Sequence, residues 1–459
     1  MPTHRAARAR WPATQRMALR VGLGPVLLSA LLLAPLASGQ QTSPSVTLEE
    51  ALRTARERQP QLRQARSATE VARAAAAEAR APLLPQASLS ASYERTTANF
   101  FQRPGMLPPS VTRPSPSATA SWKTFNFFNG GATVNQLIWD FDQTADRWRA
   151  AKVRTDAQKE SERTVASQVA LSVRSAYFAA WTDKSLVGVA QETLRNFQRH
   201  LLQTEGFVQA GTAPEIDLAQ ARANVATAKA QLIAAENAYL TAKAQLSLAV
   251  GWKRGLDYDV TPPVFDAVEG EDAPVETLEA EALARRPELA ALRRQVDAQH
   301  LTVRAIQGAY APTLAGSVSA TTGGITVKDL GWNVAAGVSL SWQVFQGGLT
   351  RAQVQGASAT ASQLEAQFDQ EHLQVRFELE QARLAILAAK ATLRAQQDAV
   401  LNARERLRLA QGRYSMGVGS GIELGDAQVA LSNAEAQWVQ AQGQLFIARA
   451  QLLFALGHG

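Results

Sequence analysis

The stretch GRYSMGVGSGIELGDAQVALSNAEAQWVQAQGQLFIARAQLLFALG, residues 412–457, combines a short glycine-rich turn with a strictly periodic segment. Large side chains recur in it every seven residues, and an alanine follows each of them three positions later. The large residues are Leu424, Leu431, Trp438, Leu445 and Leu452. Apolar a and d positions held through five repeats predict a coiled-coil helix, whose alanines allow close approach of a partner backbone.

The same pattern occurs 206 residues earlier, in the same phase. There the large positions are Leu218, Val225, Leu232, Tyr239 and Leu246, and Gly211 corresponds to Gly417 without a gap. A second match, at an offset of 227, aligns Pro60 with Pro287 and Pro85 with Pro312. A repeated turn together with a repeated heptad register indicates an internal duplication.

Each half predicts the order helix, strand, strand, long helix, heptad helix. The first repeat, 40–251, is predicted to hold strands at about 86–94 and 122–139, a long helix at about 144–210 and a heptad helix at 215–250. The second repeat, 276–459, is predicted to hold strands at about 314–321 and 332–342, a long helix at about 349–415 and a heptad helix at 422–456. A proline-rich and acidic linker, 252–275, separates the repeats.

Two smaller expectations concern the first repeat. Its opening helix is predicted from Ser45 to Ala81, with Thr47 as the N-cap and Pro60 as an interruption. Its second strand is predicted to turn or bulge near Asn129–Gly131.

The four predicted strands alternate apolar and small polar residues, which is the pattern of a two-faced sheet. Tryptophans stand near their ends and predict an aromatic girdle at a lipid boundary: Trp122, Trp139, Trp332 and Trp342. The strands are also about as long as membrane barrel strands, roughly 9–11 residues. Four strands cannot close a barrel, so the chain is expected to associate, with eight strands from two copies or twelve from three.

Composition narrows the class of protein. Residues 1–39 contain five arginines, no acid and an apolar core, which predicts a secretory signal peptide; a membrane anchor is the alternative. The remaining 42 basic and 40 acidic residues balance to +2, so the charge gives no reason to expect nucleic acid as a partner.

Several kinds of chemistry have no support in the sequence. Cysteine is absent, which excludes disulfides, thiolate metal sites, a thiol nucleophile and a lipid anchor on cysteine. The five histidines are scattered without metal-ligand spacing. No acid–base pair is held at a recognisable site, so we expect no enzyme activity, no cofactor and no metal.

The chain resembles the TolC-type outer membrane factor family over 46–457. The resemblance is carried by the paired halves, by two strand ends and by two turns: LIWDF (137–141), QVFQGG (343–348), AGTAPEIDLAQAR (210–222) and YSMGVGSGIELGDAQ (414–428). It implies a mainly α-helical homotrimer in which each chain gives four strands to one twelve-stranded transmembrane β-barrel. The barrel would continue as a periplasmic α-helical coiled-coil tunnel, with the linker near its equator.

The resemblance also assigns residues to the periplasmic end of the tunnel. The entrance and gate would be formed by Asp217, Tyr414, Glu423 and Asp426, and the adaptor-contacting tips by Gly211, Thr212, Gly417 and Val418. An arginine of the family's closing salt bridge is replaced here by Gly419. Structural alternatives remain open. The acids can simply stabilise the positive end of the helix dipole, and the glycines can simply adopt the left-handed conformation that the turn requires. Tyr414 can be a packing residue.

The leading functional hypothesis is an outer-membrane exit duct of a tripartite efflux pump in a Gram-negative bacterium. It would conduct drugs or toxic solutes passively from a periplasmic adaptor and an inner-membrane transporter. The alternatives are a type I protein secretion duct and, from another class, a periplasmic coiled-coil adaptor. The two-faced strands argue against the adaptor.

Overall fold

The chain is described here from a computed structural model that covers residues 44–97, 122, 124–253 and 255–458. The predicted signal peptide, 1–39, and the proline-rich segment 99–121 lie outside the described residues. Among the described residues, none of the helices combines the length and the apolar character needed to cross a membrane.

Two repeats make up the described chain. In chain order the first contains β1 (Ser45–Val46), α1 (Leu48–Arg58), α2 (Pro60–Arg80), β2 (Gln86–Thr97), β3 (Thr124–Trp139), α3 (Gln143–Gln209) and α4 (Glu215–Val250). The linker carries β4 (Asp259–Val260). The second contains α5 (Val275–Arg285), α6 (Pro287–Gln307), β5 (Thr313–Gly324), β6 (Gly331–Ser341), α7 (Leu349–Ser415) and α8 (Gly421–Ala455).

The duplication holds residue by residue. The helices α1 and α2 and the strand β2 coincide with α5, α6 and β5 at the offset of 227, and α3 coincides with α7 at 206. The repeated unit of the predicted fold class is therefore confirmed, with the opening helix of each repeat divided in two. The divisions fall before Pro60 and Pro287, because a proline inside a helix lacks the N–H donor and clashes with the preceding turn. Thr47 caps α1 by accepting a hydrogen bond from the Glu50 N–H at 3.2 Å.

The turn from the sheet into each long helix also repeats. Phe141 and Asp142 have φ of 54° and 63°, and Gly347 and Gly348, which correspond to them at the offset of 206, have 60° and 84°. The second repeat thus has glycine at the two positions where a left-handed backbone favours it. In the first repeat, Phe141 and Asp142 adopt the same left-handed conformation although they carry side chains.

The four long strands form one antiparallel sheet in the order β2–β3–β5–β6. One row across it reads Ala87, Val134, Val318 and Ala336, and the next row reads Ser88, Thr133, Ser319 and Ala335. Successive side chains of a strand point to opposite faces. The sheet therefore has one apolar face and one face of small, mostly polar residues, as the alternation predicts.

The predicted turn or bulge near Asn129–Gly131 is wrong. Gly130 and Gly131 continue the ladder opposite Ala91 and Ser90. A β-carbon at Gly131 would lie 3.3 Å from the Thr321 Cγ2 atom, so the glycine makes room for its neighbours within a regular strand.

The irregularity in β3 lies instead between Leu137 and Trp139. It brings Trp139 opposite Leu314, on the apolar face of the sheet. The extra residue therefore re-aims the tryptophan, which is a common use of a bulge.

The helices form a wall that continues from the sheet. Near the sheet the helices in contact follow the order α2, α3, α6, α7; farther away the order is α4, α3, α8, α7. The first repeat therefore supplies one edge of the wall, α2 and α4, and the second supplies the other, α7.

The linker is tied to the middle of this wall. The strand β4 pairs with β1, and the hydroxyl of buried Tyr177 lies 3.0 Å from the Val46 carbonyl oxygen and 2.9 Å from that of Thr261. Buried Glu271 adds ion pairs at 2.7 Å to Lys390 and at 3.0 Å to Arg449. These polar contacts fasten the linker to α3, α7 and α8.

Candidate functional site

The helical hairpins end in two equivalent turns, α3 to α4 and α7 to α8. Gly211 and Gly417 have the same φ, 74°. Their N–H groups donate to the carbonyls of Val208 at 3.0 Å and Tyr414 at 3.1 Å. A residue without a β-carbon is favoured at this left-handed position, so the turn alone accounts for both glycines.

The residues that follow these glycines complete the helix C-caps. The Thr212 N–H donates to the Phe207 carbonyl at 2.9 Å, and the Val418 N–H donates to the Arg413 carbonyl at 3.1 Å. The side chains of both residues are exposed. The four predicted tip residues thus form two small, uncharged knobs at the ends of the hairpins.

Gly419, which stands at the arginine position of the resemblance, is closely packed. A β-carbon there would lie 3.0 Å from both the Arg413 Cβ atom and the Tyr414 nitrogen. Any side chain at this position would therefore crowd the end of α7.

An arginine is nevertheless present in this turn. The Nε atom of Arg413 lies 3.5 Å from an oxygen of Glu423, so the turn closes an ion pair within itself. Both residues lie within 412–457, but no local spacing pattern predicts that they pair.

The two acids of the second turn differ in environment. The Glu423 N–H donates to the Ser420 hydroxyl at 3.1 Å, which caps α8, and its half-buried carboxylate faces Arg413. Asp426 is exposed one turn farther along α8. Both positions lie near the positive end of the helix dipole, which favours negative charge.

The structure brings Asp217 and Tyr414 together at Gly421. A β-carbon at Gly421 would lie 3.6 Å from the Asp217 carboxyl carbon and 3.8 Å from the Tyr414 ring. The Tyr414 ring also packs edge-on against His200, at 5.5 Å between centroids, and against Phe207 at 5.9 Å. This cluster joins the two turns, whereas exposed Asp426 stands apart from it.

His200 is the residue of this cluster that sequence reasoning missed. Its side chain is 7% exposed. Burial lowers its pKa below the ordinary 6.5, and the nearby Asp217 carboxylate opposes that shift. Within the described part of the chain, neither its Nδ1 atom nor the Tyr414 hydroxyl has a hydrogen-bond partner, although both are buried. The contact between the two turns therefore includes the His200 imidazole, which is neutral at neutral pH, and the Tyr414 phenol.

The four predicted girdle tryptophans are exposed and stand at both ends of the sheet. Trp139 and Trp342 lie at the end that joins the helices, where the Trp342 indole donates to the Tyr310 carbonyl at 3.1 Å. Trp332 is the second residue of β6, at the far end, and Trp122 precedes β3 there. Among the described side chains, no group of acids and histidines could hold a metal ion.

A sheet with one apolar face, continued by long helical hairpins with acidic turns, defines a class of outer-membrane channel with a helical extension. The chain belongs to the family described as outer membrane efflux protein, which it matches over residues 51–252 and 278–458. Members of this family are channels, which is the class that the resemblance implies.

Individual relatives agree with this assignment. The chain is 26% identical to the outer membrane efflux protein BepC of Brucella suis over 331 residues, 71% of each chain. It is 25% identical to the outer membrane protein TolC of Escherichia coli over 455 residues, 94% of this chain and 86% of TolC. The crystal structure of VceC from Vibrio cholerae superimposes with a TM-score of 0.76, covering 90% of this chain and 96% of VceC at 19% identity, which shows the shared fold.

Proposed function

We propose that this protein is the outer-membrane exit duct of a tripartite efflux pump. It conducts drugs or other toxic solutes passively from a periplasmic adaptor and an inner-membrane transporter to the exterior. The observation that carries the proposal is the continuity between the two-faced sheet and the helical hairpins, because one chain then contributes both to a membrane pore and to a duct that leads to it. Its strands lie in the outer-membrane lipid and its helices in the periplasm.

The functional oligomer is a homotrimer. The sheet ends in two strands, β2 and β6, that have no neighbour on their outer sides within the described chain. An unpaired strand edge in lipid costs several kcal/mol per backbone group, so the edges must meet in a closed ring. Three copies give twelve strands, the number that the resemblance implies, and the exposed tryptophans then form a girdle at each lipid boundary.

The periplasmic entrance is formed by the helical turns. Around a threefold axis, Asp217, Glu423 and Asp426 each become a ring of three carboxylates, which favours cations at a constriction. The exposed tips Gly211, Thr212, Gly417 and Val418 contact the adaptor. Tyr414 holds the two turns of one chain together, because its ring packs against His200 and Phe207 of the other hairpin. Its hydroxyl does not contribute, since it has no partner among the described groups.

The duct performs no chemical turnover and needs no cofactor, since the transporter supplies the energy. The match of both repeats to a family of efflux proteins supports small solutes over secreted proteins as cargo. It also favours the channel over a periplasmic coiled-coil adaptor.

Two measurements test this proposal. The mature protein is extracted from membranes in mild detergent, and its native mass is determined; purified protein is then added to planar bilayers, and conductance is recorded. A trimer that forms discrete channels supports the duct. A monomer that is recovered without detergent and forms no channel would overturn it.

A further inference from the structure

The junction between α1 and α2 carries a strongly basic surface. Residues 52–66, LRTARERQPQLRQAR, contain five arginines and one acid, Glu57, so the stretch has a net charge of +4. All five arginines are exposed: Arg53, Arg56, Arg58, Arg63 and Arg66. We call these five residues the arginine face.

We propose that the arginine face lies on the outside of the duct and binds the carboxylate groups of a periplasmic polymer, the peptidoglycan of the cell wall. The inference rests on the proposed function, because that function places these helices in the periplasm. It adds a partner that the passage of solutes does not require.

The arginine face has few counter-ions among the described side chains. Arg66 pairs with Glu162 at 3.8 Å, whereas the other four arginines have no carboxylate partner in the described part of the chain. The Arg66 guanidinium also donates to the Arg56 carbonyl at 3.2 Å, which brings arginines of α1 and α2 together. A guanidinium binds a carboxylate through two parallel hydrogen bonds, so unpaired arginines favour carboxylate ligands.

A further arginine lies beside this face, on α3. The Nη1 atom of Arg174 is buried and has no hydrogen-bond partner within the described residues. Burial lowers the pKa of Arg174 below the ordinary value of a guanidinium, and the positive charge of Arg56 lowers it further. Two cations thus lie close together without an anion. A bound carboxylate would offset their repulsion.

The second repeat lacks this surface. The corresponding stretch at the offset of 227, residues 279–293, contains three arginines and three acids. It keeps arginine at two of the five positions of the arginine face, and Arg285, one of them, pairs with Glu281 at 2.7 Å. One arginine is enough to complement the helix dipole in the last turn of α5. The fold of the junction therefore does not require the excess charge of the first repeat, which favours a binding role.

The second repeat also indicates that the arginine face stays accessible when copies assemble. The helix α6 has a wall helix on each side, α3 and α7. Arg285 and Arg293 are nevertheless exposed, and they correspond to Arg58 and Arg66. These positions therefore project away from the neighbouring helices of the wall, and a neighbour beside α2 leaves them open.

The position of α1 places the arginine face outside the duct. The helix α1 lies over α3 and α4, and the Gln59 amide that follows it donates to the Ala249 carbonyl at 2.6 Å. The linker strand β4 joins this layer by pairing with β1. A second layer of this kind on the inner side would fill the lumen, so in a duct it lies on the outer side.

The distance from the membrane favours a polymer over a lipid. The sheet end of α2 is Arg80, and Arg66 precedes it by 14 residues, which is about 20 Å along the helix. The other four arginines lie farther from the sheet. A headgroup layer extends only about 5–8 Å beyond the hydrocarbon core. The arginine face is therefore out of reach of lipid phosphates, whereas peptidoglycan lies in the periplasm and carries free carboxylates on its peptides.

A sedimentation experiment tests this proposal. Detergent-extracted protein is mixed with purified, protein-free peptidoglycan sacculi, the sacculi are pelleted, and the bound fraction is measured at increasing salt. We expect binding by the parent protein that weakens as salt screens the exposed charges. The double variant Arg58→Gln with Arg66→Gln should lower the bound fraction at low salt by about threefold or more.

The matched control is Arg285→Gln with Arg293→Gln, which removes the same charge at the corresponding positions of the second repeat. It should bind as the parent protein does. Sacculi whose carboxylates have been converted to amides should bind the parent protein much more weakly. An equal loss in the control, or equal binding to amidated sacculi, would overturn the proposal.

Bilayer recordings of the same variants separate this inference from the proposed function. Arg58→Gln with Arg66→Gln should form channels with the conductance and reversal potential of the parent protein, since the arginine face lies outside the lumen. A changed reversal potential would overturn the outward placement. Parent protein that forms channels but does not sediment with sacculi would overturn the binding alone, whereas parent protein that forms no channel would contradict the proposed function.

Discussion

Gly443 of α8 lies directly against Thr182 of α3, so closely that a β-carbon at Gly443 would overlap the threonine hydroxyl and lie 3.2 Å from its Cβ atom. That hydroxyl is held in place because it donates to the Phe178 carbonyl at 2.8 Å. The two helices therefore approach as closely as they do because one residue of the pair has no side chain.

Replacing Gly443 with alanine should destabilise the protein. Alanine favours a helix over glycine by about 1 kcal/mol, but overpacking costs about 1–3 kcal/mol, and we expect a net loss in the free energy of unfolding. Circular dichroism during chemical denaturation in detergent measures it. Gly188→Ala is the control, since a β-carbon there meets no described atom within 4 Å, and it should stabilise. Adding Thr182→Ala to Gly443→Ala should restore stability; a double variant no better than the single one would contradict this explanation.

Glu271 should make stability depend on acidity. Burial alone would raise its pKa, but hydrogen bonds from Arg449, Lys390 and the Val268 N–H lower it below the ordinary 4.5. The unfolded chain therefore takes up the proton first, and the stabilisation is present above pH 4.5 and is lost as the pH falls through the lower pKa of the folded state.

The change Glu271→Gln should remove that dependence. It leaves the partly buried Arg449 guanidinium without its anion, whereas Lys390 keeps Asp272 at 2.8 Å. We expect a loss of about 1–3 kcal/mol at neutral pH, which should shrink in acid. Thermal unfolding between neutral and acidic pH measures both effects. Glu70→Gln, at an exposed pair with Arg73, is the control. An unchanged loss at every pH would show that the carboxylate does not contribute as an anion.

His200 should loosen the turns as the pH falls. Its pKa is below 6.5 because of burial, with Asp217 opposing, so the folded state prefers the neutral ring and loses stability as the pH drops below 6.5. The two arginines near these turns face carboxylates, Arg413 with Glu423 and Arg222 with Glu205, and the acids Glu215 and Asp426 are exposed.

Hydrogen exchange of peptides that cover 207–215 and 412–421 measures this loosening. Exchange should rise in acid in the parent protein and much less in His200→Phe, which keeps an aromatic ring against Tyr414. His300→Phe is the control, because His300 is exposed and far from the turns in sequence. Acid-induced exchange that persists in His200→Phe would assign the effect to another group.

Charge at the turns should determine ion preference. Asp426→Ala and Glu423→Ala each remove three negative charges from a trimer, so both should weaken cation preference in bilayer recordings. Arg413→Ala removes the cation that faces Glu423 and should strengthen that preference. Reversal potentials in a salt gradient measure these changes, and potentials that are identical in all variants would refute the acid rings.

Most of the fold follows from local patterns. The heptads of residues 412–457 predict α8, the two-residue alternation predicts the faces of the sheet, and prolines 60 and 287 divide the opening helices. Each of these signals extends over a few residues, because backbone geometry repeats every 2 or 3.6 residues. The site is predicted less completely. The turn glycines and acids are visible in the sequence, but His200 lies 214 residues from Tyr414, and no local pattern links them.

The order of elements, the duplication, the two sheet faces and the acidic turns are therefore properties of the sequence alone, since they depend on spacing along the chain. The bulge that turns Trp139 toward the apolar face, the cluster of His200, Tyr414 and Asp217, and the approach of Gly443 to Thr182 arise only in the folded chain. Such contacts depend on the rotation and axial register of packed helices and strands, and these are set by how well distant surfaces fit together.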